Sequence, residues 1–188
     1  MANEDYLHLL KTDVFAWNAW RKAYQQTQPD PRTFDRTDIP TWNAWNVWRK
    51  AHPLIQFDMQ EADLYEVDLQ GANLYRVDLR RANLNQANLN RVNLQDAHLE
   101  GATLQGAFLQ ETILCRADLQ EADLQEANLQ GAKLQGADLR RAKLQGARLY
   151  RTQLSQADLQ SASLEKADLQ EAKLQEALQP HFGVAIFA

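Results

Sequence analysis

The sequence predicts a mainly β solenoid with an N-terminal α-helical cap, and three observations carry that reading. Residues 57–176 hold one five-residue phase without a slip, all five tryptophans precede residue 56, and residues 177–188 leave the pattern. At 188 residues the chain has room for one ordinary domain or for a solenoid with a small cap.

The first element is the cap, residues 1–56. Leu7, Leu10, Val14, Trp17 and Tyr24 fall on one helical face, which predicts a helix over 4–26. Pro29 and Pro31 stop it and make a linker. A second helix is expected over 40–52, with Pro40 in the first turn and Pro53 ending it. The segments F-A-W-N-A-W-R-K-A-Y (15–24) and P-T-W-N-A-W-N-V-W-R-K-A-H (40–52) are near-duplicates, and Trp42, Trp45 and Trp48 form an apolar stripe. Such a stripe beside a solenoid reads as packing over its open end rather than as a ligand cage.

The second element is the repeat, residues 57–176. Its large site is Met59 and then Leu at every fifth residue from Leu64 to Leu174, 24 positions in all. Two residues earlier is a small site, with 18 Ala, Val67, Val77, Val92, Thr112, Thr152 and Phe57. Between them lies a middle site that is Asp nine times and Asn five times, and the two remaining places are polar. A helix would smear these leucines, since five residues advance roughly 500°. A single strand would send alternate leucines to opposite faces, because the side-chain period is two. Each pentapeptide must therefore contain a turn, so that every Leu points inward. Asp or Asn beside the Leu is expected at the corner, where its side chain bonds nearby backbone and tolerates unusual dihedrals, with Gly serving similarly.

The pattern A-(D/N)-L-x-x, written here as A-D-L-Q-E, A-N-L-Q-G and A-D-L-R-R, resembles the pentapeptide-repeat proteins over 120 of the 188 residues. The resemblance implies a right-handed, four-sided β-helix with four pentapeptides per turn, hence about six coils. The W-N-x-W-R segment is similar to the leader of many bacterial, especially cyanobacterial, members.

With four repeats per turn, residues 20 apart share a face. The face through Met59 carries eight acids against four bases, and that through Leu64 five against two. The face through Leu69 carries four against three, and that through Leu74 only Asp96 and Glu176 against Arg76, Arg116, Lys133 and Lys173, a candidate basic face. Outward polarity breaks in one coil, where the middle sites are His98, Thr103, Phe108 and Ile113 and Cys115 follows. Phe108, Ile113 and Cys115 are therefore the candidate partner-binding patch.

Catalytic chemistry is not expected. His8, His52, His98 and His181 are scattered without metal-ligand spacing to Cys115 or to paired carboxylates. Phosphate-loop, G-x-S-x-G and H-E-x-x-H motifs are missing. Carboxylates such as Asp118 and Asp123 recur with the turn, on a convex rod that offers no cleft to shift them. No cofactor and no metal are expected.

One cysteine excludes an internal disulfide, no stretch of some 20 apolar residues spans a bilayer, and M-A-N-E-D-Y lacks a secretory start, so a cytoplasmic location is expected. The tail is read over 177–188, where Phe182, Val184 and Ile186 alternate as in a short strand. It would either cover the last coil or make a C-terminal homodimer. The expected function is a non-enzymatic structural or protein-interaction module with a protein partner. The family resemblance adds an alternative, a DNA-mimic inhibitor of a type II topoisomerase (gyrase). Direct nucleic-acid binding along the basic face needs more charge than four separated bases supply.

Overall fold

The computed structural model describes residues 59–178. The helices expected at 4–26 and 40–52, the tryptophan stripe, the boundary at 56/57 and the tail from 179 to 188 lie outside the described residues.

A chain poor in β-branched residues has little drive to form long strands. Among the described residues there is neither a helix nor a continuous strand. Each pentapeptide instead contributes one residue, its middle site, to a parallel ladder. Asp63 pairs with Asn83, Asn83 with Thr103 and Thr103 with Asp123, and the same step of 20 residues continues to the pair Asp158 and Leu178. One turn of the solenoid is therefore four repeats, and residues 20 apart stack in columns on four walls. The ladder runs two residues past 176: the Leu178 N–H donates to the Ala157 carbonyl at 2.9 Å.

Backbone hydrogen bonds explain why so short a unit suffices. In the repeat Ala122-Asp123-Leu124-Gln125-Glu126, the Asp123 N–H donates back one coil to Ala102 O at 2.9 Å. The Leu124 and Glu126 N–H groups donate forward one coil, to Lys143 O at 2.7 Å and Gln145 O at 3.0 Å. The Ala122 N–H closes the preceding turn on Leu119 O at 3.0 Å. That leaves the Gln125 N–H, and it donates to the Asp123 side chain (Oδ1, 3.3 Å). All five donors of the repeat are thus satisfied, four by backbone and one by the middle-site carboxylate.

The corner is not where the sequence placed it. The left-handed residue is the last of each pentapeptide, two after the Leu, and it is never the middle site that carries the recurring Asp or Asn. From Glu61 to Glu176 every such position has positive φ, 18 of them non-glycine and only six glycine. Positive φ at the second central residue alone, closed by an i to i+3 bond, is the signature of a type II turn. The Asp or Asn sits earlier, in the flat wall, and its oxygen serves the first residue of the turn.

Inside, the large sites from Met59 to Leu159 are 0–2% exposed, and the small sites around them are buried as well. Thr112 and Thr152 enter this core without an orphaned hydroxyl, because each donates to a carbonyl of the preceding coil: Leu89 O at 2.7 Å and Leu129 O at 2.9 Å. Towards Leu178 the core opens, with Leu169, Leu174 and Ala177 only partly buried and Leu178 exposed.

Candidate interaction surface

A middle-site side chain is free for other work only where the turn does not need it. Thirteen Asp or Asn residues accept the N–H two residues ahead, from Asp63 to Asp168. In the coil of residues 97–116 that device is absent at Thr103 and Phe108, and the sequence compensates elsewhere. The Gln105 N–H donates to Asn85 Oδ1 and the Gln110 N–H to Asn90 Oδ1, both at 2.8 Å and both from the preceding coil. Asn85 and Asn90 are the only asparagines at turn positions between 59 and 178. Sequence reasoning missed them, though their unusual place in the repeat was visible.

Phe108 is thereby relieved of any role in its turn. It stands between Asn88 and Asn128 in the column of the third wall, which reads Asp68, Asn88, Phe108, Asn128, Arg148, Asp168. It is 45% exposed, against 7% or less for the described leucines from Leu64 to Leu164. Ile113 stands in the next wall between Asn93 and Lys133 and is half-buried. The turn at Gln110–Glu111 separates the two walls, so the two side chains occupy different columns. Cys115 is half-buried, with its thiol donating to Gln135 Oε1 at 3.2 Å.

The four bases of the candidate basic face fall into two columns. Lys133 and Lys173 are exposed in the wall with Gln153 between them. Arg76 and Arg116 lie in the corner column with Asp96 between, and Arg116 grips Asp96 at both carboxylate oxygens, 2.7 and 2.9 Å. Arg116 chiefly, with help from Tyr75 and Gln95 and against burial, holds the Asp96 carboxyl below the usual range.

Charge pairing at this 20-residue offset recurs at the corners: Arg91–Glu111 at 3.0 Å, Arg141–Glu121 at 2.9 Å and Arg151–Glu171 at 2.7 Å. On the acidic first wall, burial pushes Asp78 and Asp138 up, but hydrogen bonds from Arg80 and Arg140 outweigh it and hold both carboxyls low. Asp123 on the second wall behaves alike, with Gln105, the Gln125 N–H and Lys143 supplying the opposing contacts. The acidic walls are therefore interlaced with arginine rather than uniformly negative.

Among the described residues no group of His, Cys, Asp and Glu is placed to hold a metal ion, and no helix is long and apolar enough to cross a membrane. A polar surface groove of about 170 Å³ is lined by Gln60, Glu61, Arg80, Arg81 and Glu100.

A family model described as pentapeptide repeats (8 copies) matches residues 58–96, 93–131, 122–160 and 147–177, together most of the chain. The chain belongs to the pentapeptide-repeat family. The chain is also similar to solved structures. One, from the Arabidopsis thaliana thylakoid lumen, is 29% identical, with 51% of this chain and 67% of that one covered and a TM-score of 0.50. Rfr23 from the cyanobacterium Cyanothece 51142 is 28% identical, covering 71% and 97%, with a TM-score of 0.43. QnrB1, a plasmid-mediated fluoroquinolone resistance protein, is 17% identical over 69% and 75%, with a TM-score of 0.35. No curated protein matches the sequence. Family membership accounts for the four-sided β-helix and for the recurring carboxylates.

Proposed function

We propose that this pentapeptide-repeat protein is a non-enzymatic docking rod whose third wall, centred on Phe108, binds a protein. The observation that carries the reading is the pairing of an exposed phenylalanine with a transferred turn bond: Asn90 caps the turn that an Asp at position 108 would otherwise cap. A site released from the fold and filled with an apolar side chain fits a contact surface. The rest of the reading is the expectation from the sequence and its family resemblance: about six right-handed coils, a helical cap over 1–56 and an apolar tail over 177–188.

Topoisomerase inhibition by DNA mimicry calls for a continuous negative surface. The first wall argues against it, because Arg80 and Arg140 pair within that wall with Asp78 and Asp138.

Affinity capture with the intact protein beside a Phe108→Asp/Ile113→Asp variant tests the docking role. A protein bound by the natural sequence and lost from the variant is the expected result. Identical captures by both would remove Phe108 from the function.

A further inference from the structure

The third wall carries a pattern beyond its lone phenylalanine. Counting outwards from Phe108 along its column, the neighbours one rung away are Asn88 and Asn128, and those two rungs away are Asp68 and Arg148. Asp68, Phe108 and Arg148 are exposed, and Arg148 has no ion pair among the described residues. With rungs about 4.8 Å apart, Asp68 and Arg148 lie at equal distances of about 10 Å on either side of Phe108. A wall that is amide-flanked at its centre and oppositely charged at equal distances is complementary to itself when turned end for end.

We propose that the partner of this wall is a second copy of the chain, packed wall to wall and antiparallel about a two-fold axis through Phe108. The proposal rests on the docking role of this wall and names its occupant. In this arrangement Phe108 meets Phe108 of the second copy, Asn88 meets Asn128, and Asp68 meets Arg148, each hetero-pair occurring twice as an isologous interface requires. Parallel packing is excluded by the same column, since it sets Asp68 against Asp68 and Arg148 against Arg148. Moving the axis one rung to Asn128 puts Phe108 opposite Arg148 and Asn88 opposite Asp168, and loses both the aromatic and the ionic contacts. Glu111, at the corner beside Phe108, faces its own copy, and its bond to Arg91 at 3.0 Å neutralises it there. One narrow wall buries less than the roughly 800 Å² per partner of a stable interface, so the dimer is weak and concentration-dependent.

Sedimentation equilibrium of the full chain, from low-micromolar to near-millimolar concentration, tests this. The natural sequence should pass from monomer to dimer, and Phe108→Asp should remain monomeric. Asp is the commonest middle-site residue, so that variant keeps the fold. Asp68→Arg and Arg148→Asp should each weaken the dimer about tenfold, because each removes a pair that occurs twice. The double exchange Asp68→Arg/Arg148→Asp should restore it. A chain that stays monomeric throughout overturns the proposal. So does a dimer that survives Phe108→Asp, or a double exchange that recovers nothing. A dimer intact in Phe108→Asp but abolished by removing residues 179–188 places the contact at the tail and overturns it too. Should the natural sequence stay monomeric while affinity capture still loses a different protein on Phe108 replacement, the docking role stands and only self-pairing falls.

Discussion

Where a repeat carries Asp or Asn at its middle site, that residue and the one three places later divide the turn between them. Asp118, for example, accepts the Gln120 N–H at 3.1 Å, while Glu121 takes positive φ. The sequence made both residues conspicuous but not their division of labour, because Asx side chains suit capping and left-handed dihedrals alike. Propensity could not separate the two roles; only the ladder, which claims the Asp backbone for the wall, does so. Left-handed φ costs a non-glycine residue about 1–2 kcal/mol. Gly131 (φ 68°) isolates that cost, since an added Cβ would meet nothing closer than Glu111 Cγ at 3.8 Å. Gly131→Ala is expected to lower stability by about 1 kcal/mol in urea unfolding.

Within a coil, the unit of stability is the repeat with its neighbours 20 residues away. In the Asn columns this gives a second use for the amide. Asn83 and Asn88 cap their own turns with Oδ1 and donate Nδ2 to Asp63 and Asp68 at 3.0 and 2.9 Å, which spares the column stacked carboxylates. Asn90 reaches in the other direction to cap Gln110. Its replacement by alanine should cost about 1 kcal/mol, the worth of one hydrogen bond. The same replacement in a Phe108→Asp background should cost much less, because the new carboxylate caps the turn itself. A double-mutant cycle in chemical denaturation measures the difference, and equal costs in both backgrounds would show that the Asn90 bond does not substitute for the missing cap. The sequence showed Phe108 and Ile113 as departures. It did not show what released Phe108, since that required the contact between Asn90 and Gln110, one coil apart.

Over the whole rod, periodicity made the inward leucines legible, because only a turn in each pentapeptide keeps every Leu inside, while the four-repeat coil was implied by the family resemblance and is seen in the 20-residue ladder. Charge was less legible. Summing acids and bases per face gave a basic wall and an acidic one, but not which charges pair: Arg116 meets Asp96 along a corner column, and Arg140 meets Asp138 within one repeat. Those contacts make stability pH-dependent with a definite sign. Asp78, Asp96, Asp123 and Asp138 all have folded-state pKa values below their ordinary ones. Their contribution is complete above the unfolded carboxyl value of about 3.9 and is lost as pH falls through the lower folded values. Melting temperature should therefore hold from neutrality to about pH 5 and fall steeply below about pH 4.

On the docking role proposed for the third wall, the regular positions belong to the fold and Phe108, released by Asn90, belongs to contact. The thermal melt of Phe108→Asp, taken at a concentration where the chain is monomeric, tests this most directly. A melting temperature equal to or above that of the natural sequence is predicted. A fall of roughly 5 °C or more, corresponding to about 1 kcal/mol or more for a domain of this size, would show that Phe108 supports the rod itself and would contradict the account.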